Sequence, residues 1–332
     1  MEQLDASTVR HRLSLGEDYL SWLNALEAAG APPRPLSLPT PGELPALLVR
    51  LGVQPPDADA IIESWPSQTR TPEVWWLLER CSHRIVLDLG GFESLGRLPS
   101  LPPSLGALGR LFYAYVFLAA LGDVRQWHHE HGIPDDISWA TLADFGRNMA
   151  IYRRMFGVPG LDVQDWLTLH LRGVIYQLGR LQFNRSRIWY DAATLERLGV
   201  GLRHGEPALG VHIPETGPLL PEACDESFRQ ARAFFSRYFP SDSYRVATCT
   251  SWLLDDQLAE YLPPDANIVR FQRRFRLLPG GTEDDAAVFK FVFRRVAPAL
   301  DELPQRTTLE RAVVSHLKAG HHWRSRTGWL EL

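Results

Sequence analysis

Leu209-Gly210-Val211-His212-Ile213-Pro214 reads as a strand, and Glu215-Thr216-Gly217-Pro218-Leu219-Leu220 as the loop that leaves it. A helix follows from about Pro221 to Phe239, then a second strand from Tyr244 to Leu254. The first strand alternates, with Leu209, Val211 and Ile213 on one face and His212 on the other. The helix carries one apolar stripe of Cys224, Phe228, Ala231, Phe235 and Tyr238. A loop feeding a helix N-terminus offers backbone N–H groups and the positive end of the helix dipole, which suits an anion such as phosphate. Glu222, Asp225 and Glu226 lie in the first turns, and Arg232 and Arg237 nearer the end. That order complements the dipole. The three acids also repel a phosphate unless they point away, so on charge alone the stretch reads as a capped helix packed on a sheet.

Upstream the chain is nearly all helix. Residues 1–30 have helical spacing with Gly30 as a stop, and short helices follow at 42–51 and 57–64. Thr71-Pro72-Glu73 opens a helix to about Cys81. Longer helices run from Ser104 to about His131 and from Ser138 to Phe156, the second ending at Gly157. Asp162 can cap the next helix, whose face is Trp166, His170, Val174 and Leu178. Pro-rich connectors occupy 31–45 and 98–104. After Gly179 strands take over, at 180–183 and 188–190, then 208–214 and 244–254. A short helix is expected over Asp255 to Tyr261. Alternation predicts further strands at Asn267–Leu277 and Val288–Arg294. A last helix has Thr307 and Glu310 as a capping box and Gly320 as its stop. The expected fold class is α+β, with a helical domain over 1–160 and a mixed-sheet α/β domain over 161–332.

Composition bounds the function. A chain of 332 residues with 45% hydrophobic and 22% charged residues is globular and long enough for two domains. Net charge −4 and a pI near 6.3 offer no global surface for nucleic acid. Arg270, Arg273, Arg274 and Arg276 are the local exception, read first as charges on one sheet face and second as a phosphate site. The longest apolar run, Leu111 to Leu121, is too short to span a bilayer and reads as a buried helix. Cys81, Cys224 and Cys249 make neither a disulfide framework nor a CxxC pair, and Glu2 and Asp5 interrupt any leader-like start. The expected location is the cytoplasm. The oligomeric state is not legible.

His212 is a candidate general base, because an imidazole titrates near neutrality. Taken alone, it is better explained by a bond to a neighbouring strand or loop. Glu215 is the alternative base. Ser251, Cys249 and Tyr261 can each protonate a leaving thiolate, whereas Cys249 as a nucleophile lacks a nearby His. His128-His129-Glu130-His131 is the most metal-like cluster, but HExxH is absent and no third ligand is placed by spacing, so no metal is assigned. A metal hydrolase built there is the weakest reading. His170 reads as a satisfied buried histidine. The pairs Asp255-Asp256 and Glu283-Asp284-Asp285 read as a cap and a solvated loop. GxSxG, P-loop and GxGxxG patterns are absent.

Several stretches together resemble one family. They are Thr141 to Arg147, Leu169 to Gly173, Leu178 to Phe183, Val211 to Leu219, Tyr244 to Leu254 and Asn267 to Phe275. They are similar to the bacterial two-domain GNAT-like acyltransferases, which join a helical N-terminal domain to a GNAT-like domain. The resemblance covers roughly residues 100–280. It implies an acyl-CoA-dependent N-acyltransferase acting on an amine of a small or peptidic substrate. The pantetheine of acyl-CoA would enter a gap between strands 208–214 and 244–254. The carbonyl would be polarised by a strand N–H near Val211 to Ile213, and the pyrophosphate would sit on Thr216, Gly217, Leu219 and Leu220. His212 or Glu215 would be the base, and Ser251 or Tyr261 the acid. The family's turn reads Gln/Arg-x-x-Gly-x-Gly/Ala, whereas this one begins with Glu215 and has a single Gly followed by Pro218. That departure keeps a second reading open, a non-catalytic GNAT-like binding or scaffold protein.

Overall fold

The computed structural model describes residues 4–36, 38–93 and 95–332, so Glu2 of the expected N-terminus lies outside it. The chain divides into two compact units, Met1–Val174 and Ile175–Leu332, where the sequence reading placed a boundary at 160/161.

The first unit is helical: α1 (Ala6–Arg12), α2 (Leu20–Ala29), α3 (Leu44–Arg50), α4 (Pro55–Glu63), α5 (Pro72–Leu87), α6 (Gly106–Arg110), α7 (Phe112–Glu130), α8 (Asp135–Leu142), α9 (Asp144–Phe156) and α10 (Gln164–Leu171). Every residue from Phe112 to Leu121 is buried, which makes α7 the core helix. The stretch Pro103–Glu130 is long and apolar enough to cross a membrane, but its apolar length is spent inside this core. The two long helices expected here are each broken. A turn at Leu111 separates α6 from α7, and Ala143 separates α8 from α9. Asp162 does not cap α10, whose N-cap is Val163 without a side-chain bond.

The turn that closes α3 meets α9 with no space for a side chain. A Cβ on Gly146 would overlap the Gly52 carbonyl carbon and lie 2.5 Å from Val53 N. The Gly146 amide donates to the Leu51 carbonyl at 3.1 Å. The neighbouring Asp144 is buried and accepts from Arg147 Nε, Asn148 Nδ2 and Trp166 Nε1, each at 2.8 Å. His170 Nε2 stands 3.4 Å from the same carboxylate. Arg172, also buried, donates to Asp88 and to the Glu93 carbonyl. A Cβ on Gly173, at φ +66°, would overlap Trp127. Thr141–Arg147 and Leu169–Gly173, two of the stretches that carried the family resemblance, are thus partners in one buried polar network.

The second unit is a mixed sheet with helices: β1 (Ile175–Leu178), β2 (Leu181–Arg187), α11 (Ala192–Leu198), β3 (Pro207–His212), α12 (Pro221–Tyr238), β4 (Val246–Ser251), α13 (Asn267–Gln272), β5 (Arg276–Leu277), β6 (Thr282–Glu283), α14 (Asp285–Val288), α15 (Thr308–Lys318) and β7 (Arg324–Glu331). The strand order is β1-β2-β3-β4-β7-β5, with β6 also on β7. The β3–β4 pair is parallel and the other pairs antiparallel. The α12 stripe packs on the sheet face of Tyr176 and Phe183, with ring contacts of 6.1 Å from Phe235 and 5.5 Å from Phe228. Opposite faces alternate along a strand, so Gly210 and His212 lie on the side away from α12. Ala208 shares that side and is covered by Leu195 of α11.

Three expected strands are not there. Ile188–Tyr190 is a turn into α11. Asn267–Leu277 forms α13 and only a two-residue β5, because Gln272 Nε2 bonds the Leu253 and Asp255 carbonyls and Phe271 packs at a tilt against Phe275 one turn on. Spacing over six residues fits helix and strand alike, and tertiary bonds decide. The arginines of this segment therefore do not line one sheet face. Val288–Arg294 continues α14 as a π-helical turn over Phe289–Phe293, with Phe293 buried and Phe291 exposed. The capping box of Thr307 and Glu310 on α15 is present with both bonds. Leu178 and Val174 do not extend α10; Leu178 ends β1, which pairs with β2 across the tight turn Gly179-Arg180.

Candidate active site

The β3–β4 ladder is short. Ala208, Leu209 and Gly210 pair with Val246, Ala247 and Thr248, and there the register ends. Beyond it Val211 and His212 pair with Phe183 and Gln182 of β2, while Cys249, Thr250 and Ser251 pair with β7. Two parallel strands thus part at Gly210, and beyond it the β4-facing edge of β3 has no ladder to β4. Val211 is buried and Ile213 half-buried just past the strand end.

His212 stands at this opening, half-buried, with Nε2 2.7 Å from Asn184 Oδ1. Cys249 faces α12 and is buried, which pushes its thiol up to about 12, so it offers no thiolate at neutral pH. Ser251 ends β4 on the face opposite His212 and accepts from the Leu253 amide at 3.1 Å. Thr250, not singled out from the sequence, lies on the His212 side, its hydroxyl 2.9 Å from that of Thr327. Tyr261 belongs to a different cluster, where its hydroxyl is 3.1 Å from His316 Nδ1 and its ring packs on Trp323.

The turn after β3 is built around Arg180 from the β1–β2 turn. Its guanidinium donates to the carbonyls of Pro214 (2.9 Å), Gly217 (2.6 Å) and Pro218 (3.1 Å). All peptide bonds here are trans, so carbonyls aimed at Arg180 turn the Leu219 amide, on the Pro218 peptide, the other way. Gly217 takes φ 114°, which a side chain disfavours. Thr216 is exposed and its amide donates to the Pro214 carbonyl at 2.9 Å. Leu219 is buried, and Leu220 is the N-cap of α12 without a side-chain bond, so the first-turn amides of that helix have no capping side chain.

Three of the four acids of this region, all but Glu222, are ion-paired among the described residues. Glu215 pairs with Arg294 at 2.7 Å. Arg274 binds Asp225 and holds its carboxyl below the usual range, and also donates to the Pro221 carbonyl at 3.0 Å. Glu226 pairs with Arg229. Sequence reading missed Arg180, Arg294 and the pairing of Arg274 with Asp225, because each arrives from a segment 34 or more residues from its partner along the chain. Replacing Arg180 with methionine is expected to free three turn carbonyls and weaken acyl-CoA binding about ten-fold (~1.4 kcal/mol), measured by calorimetric titration. Unchanged affinity would show that the turn holds its shape without the guanidinium.

The histidines considered for a metal do not converge. His128 is buried with Nδ1 2.6 Å from Ser138 Oγ, and burial pulls its pKa down to about 3. His131 stacks on Trp127 at 3.8 Å. Among the described residues no His, Cys, Asp or Glu cluster could hold a metal ion.

Comparison with known proteins places this geometry. Residues 42–173 match the N-acyltransferase N-terminal domain, and residues 175–330 the GNAT-like C-terminal domain. Similar solved structures include an acyltransferase in complex with decanoyl-CoA and teicoplanin, and another in complex with CoA and 10C-teicoplanin. Each is 45% identical, with a TM-score of 0.91 over 99% of this chain and 100% of the other. A third, a mutant acyltransferase in complex with octanoyl-CoA, is equally similar. No curated protein matches the chain. With parted strands, a cradled turn before a helix and relatives that bind acyl-CoA, this chain is an acyl-CoA-dependent acyltransferase and belongs to the family that joins an N-acyltransferase N-terminal domain to a GNAT-like C-terminal domain.

Proposed function

We propose that the chain moves a medium-length acyl group from CoA to an amine of a glycosylated peptide. The observation that carries the reading is His212, an imidazole at the point where β3 leaves β4. The amine nitrogen attacks the thioester carbon as His212 takes its proton. A backbone N–H of Val211 to Ile213 supports the oxyanion. The C–S bond then breaks, and a hydroxyl returns a proton to the sulfur. Thr250 is favoured over Ser251 and Tyr261 for that step, because it shares the face of His212. Amides of Leu219, Leu220 and the first turn of α12 receive the pyrophosphate, with Arg274 and Arg294 near it. Octanoyl- and decanoyl-CoA in the similar structures support the chain length, and teicoplanin the acceptor class. Three free, buried cysteines suit the reducing cytoplasm, where we place the protein.

The test is direct. Purified protein is given decanoyl-CoA or acetyl-CoA with a teicoplanin-type glycopeptide bearing a free amine, or with the same acceptor N-acetylated. Thiol release and acceptor mass are followed together. The expected result is decanoyl transfer to the free amine alone, with acetyl-CoA the poorer donor. Acylation of the blocked acceptor at the same rate would mean that the amine is not the nucleophile.

A further inference from the structure

We infer that Asn184 is the positioning residue that sets the tautomer of His212, and that residue 210 is glycine to let its amide through. The inference rests on His212 being the base.

Strand register puts Asn184 directly across from Gly210, and Gln182 across from His212. Asn184 must therefore lean one pair along the sheet to meet the imidazole. The space it crosses is the one a side chain at 210 would fill. A Cβ there would overlap Asn184 Oδ1, and would lie 3.0 Å from its Cγ and 3.4 Å from His212 Nε2. Gly210 has no positive φ, so the backbone does not demand glycine; the amide does.

The orientation of that amide is settled by its other end. Asn184 Nδ2 donates to the Arg185 carbonyl at 2.8 Å, which leaves Oδ1 toward His212 at 2.7 Å. An amide oxygen only accepts, so Nε2 carries the hydrogen and Nδ1 the lone pair. Nδ1 is then the atom that takes the amine proton. After that transfer the ring is an imidazolium whose Nε2–H bond to Asn184 is charge-assisted and stronger. A carboxylate in place of Asn184 would favour the protonated ring before the amine arrived; a neutral amide orients the ring without adding a charge that favours its protonated form.

The experiment is nitrogen NMR of the full-length protein labelled with 15N-histidine, beside steady-state kinetics. The wild-type spectrum is expected to show protonated Nε2 and unprotonated Nδ1 for His212, assigned by its loss in H212A. A wild-type signal from the opposite tautomer overturns the inference without any variant. N184A and G210A should both mix the tautomers and lower kcat about ten-fold, with KM for acyl-CoA unchanged. G210A does so with Asn184 still present, which separates the amide's position from its existence. N184D keeps an acceptor on Nε2, so it should keep the tautomer and recover kcat at alkaline pH. If H212A turns over normally, the function proposed for His212 fails. If H212A is inactive while N184A and G210A keep both tautomer and kcat, only the role of Asn184 fails.

Discussion

Replacing His212 with alanine is expected to lower kcat by ~10²–10⁴-fold, the usual worth of a positioned proton acceptor. Binding of acyl-CoA should be nearly unchanged, because the turn proposed to receive its phosphates is held by Arg180 and not by His212. The residual rate should rise with pH, since only the unprotonated amine attacks once the base is gone. Glu215, the other candidate base, is 41% exposed and ion-paired to Arg294. Glu215→Gln should therefore act on acyl-CoA affinity and not on the proton transfer. Single-turnover rates for the two variants decide between them. A full rate in H212A with a dead E215Q would transfer the role to Glu215.

The largest effect on stability is expected from Asp144→Ala in the helical unit. The residue is 3% exposed, and its carboxylate accepts from Arg147, Asn148 and Trp166. Alanine would strand those donors and leave His170 without its carboxylate partner. Breaking a buried charged network from one side costs about 3–5 kcal/mol. That loss should appear as a fall of roughly 10 °C in melting temperature. Asp144→Asn keeps one acceptor oxygen and should cost less. The network also predicts acid lability. Burial raises the Asp144 carboxyl, but His170, Arg147 and the Trp166 N–H together hold it below the usual carboxylate range. Burial holds His170 below 6.5 against the pull of Asp144. Both groups bind protons more readily unfolded than folded. Their contribution is complete above about pH 6.5 and is lost as pH falls, first through His170 and then through Asp144. Urea midpoints across pH 3–8 test this, and a flat profile would show that neither group stays coupled to folding.

The stretch from Leu209 to Leu254 was legible because its signals are local. Alternation marks β3, which lies two residues earlier than read, at Pro207–His212, and a single apolar stripe marks α12, which ends at Tyr238. The capping box at Thr307 and the left-handed Gly157 cap were legible for the same reason, since each is completed within a few residues. The phenylalanines at 271, 275, 289, 291 and 293 misled, because a short run with apolar residues two apart also fits one or two helical turns. The last strand, β7, left no signal. Its residues Arg324 to Glu331 show little alternation, and its place beside β4 depends on backbone ladders on both edges.

At the site, His212 could be nominated from its place before a loop, but Asn184 could not. The two are 28 residues apart and meet only through the β2–β3 register. The acids at Glu215 and Asp225 looked unfavourable for phosphate until Arg294 and Arg274 were seen on them. By itself the sequence determined the strand–turn–helix–strand unit, the helical first half and the position of the imidazole, since periodicity and caps act over a few residues. Only the tertiary structure decided where β3 leaves β4, which arginines pair with the acids of the turn and which residue meets Nε2 of His212. Those features are contacts between distant segments, made largely through backbone groups that every residue shares, so no pattern of side chains along the chain announces them.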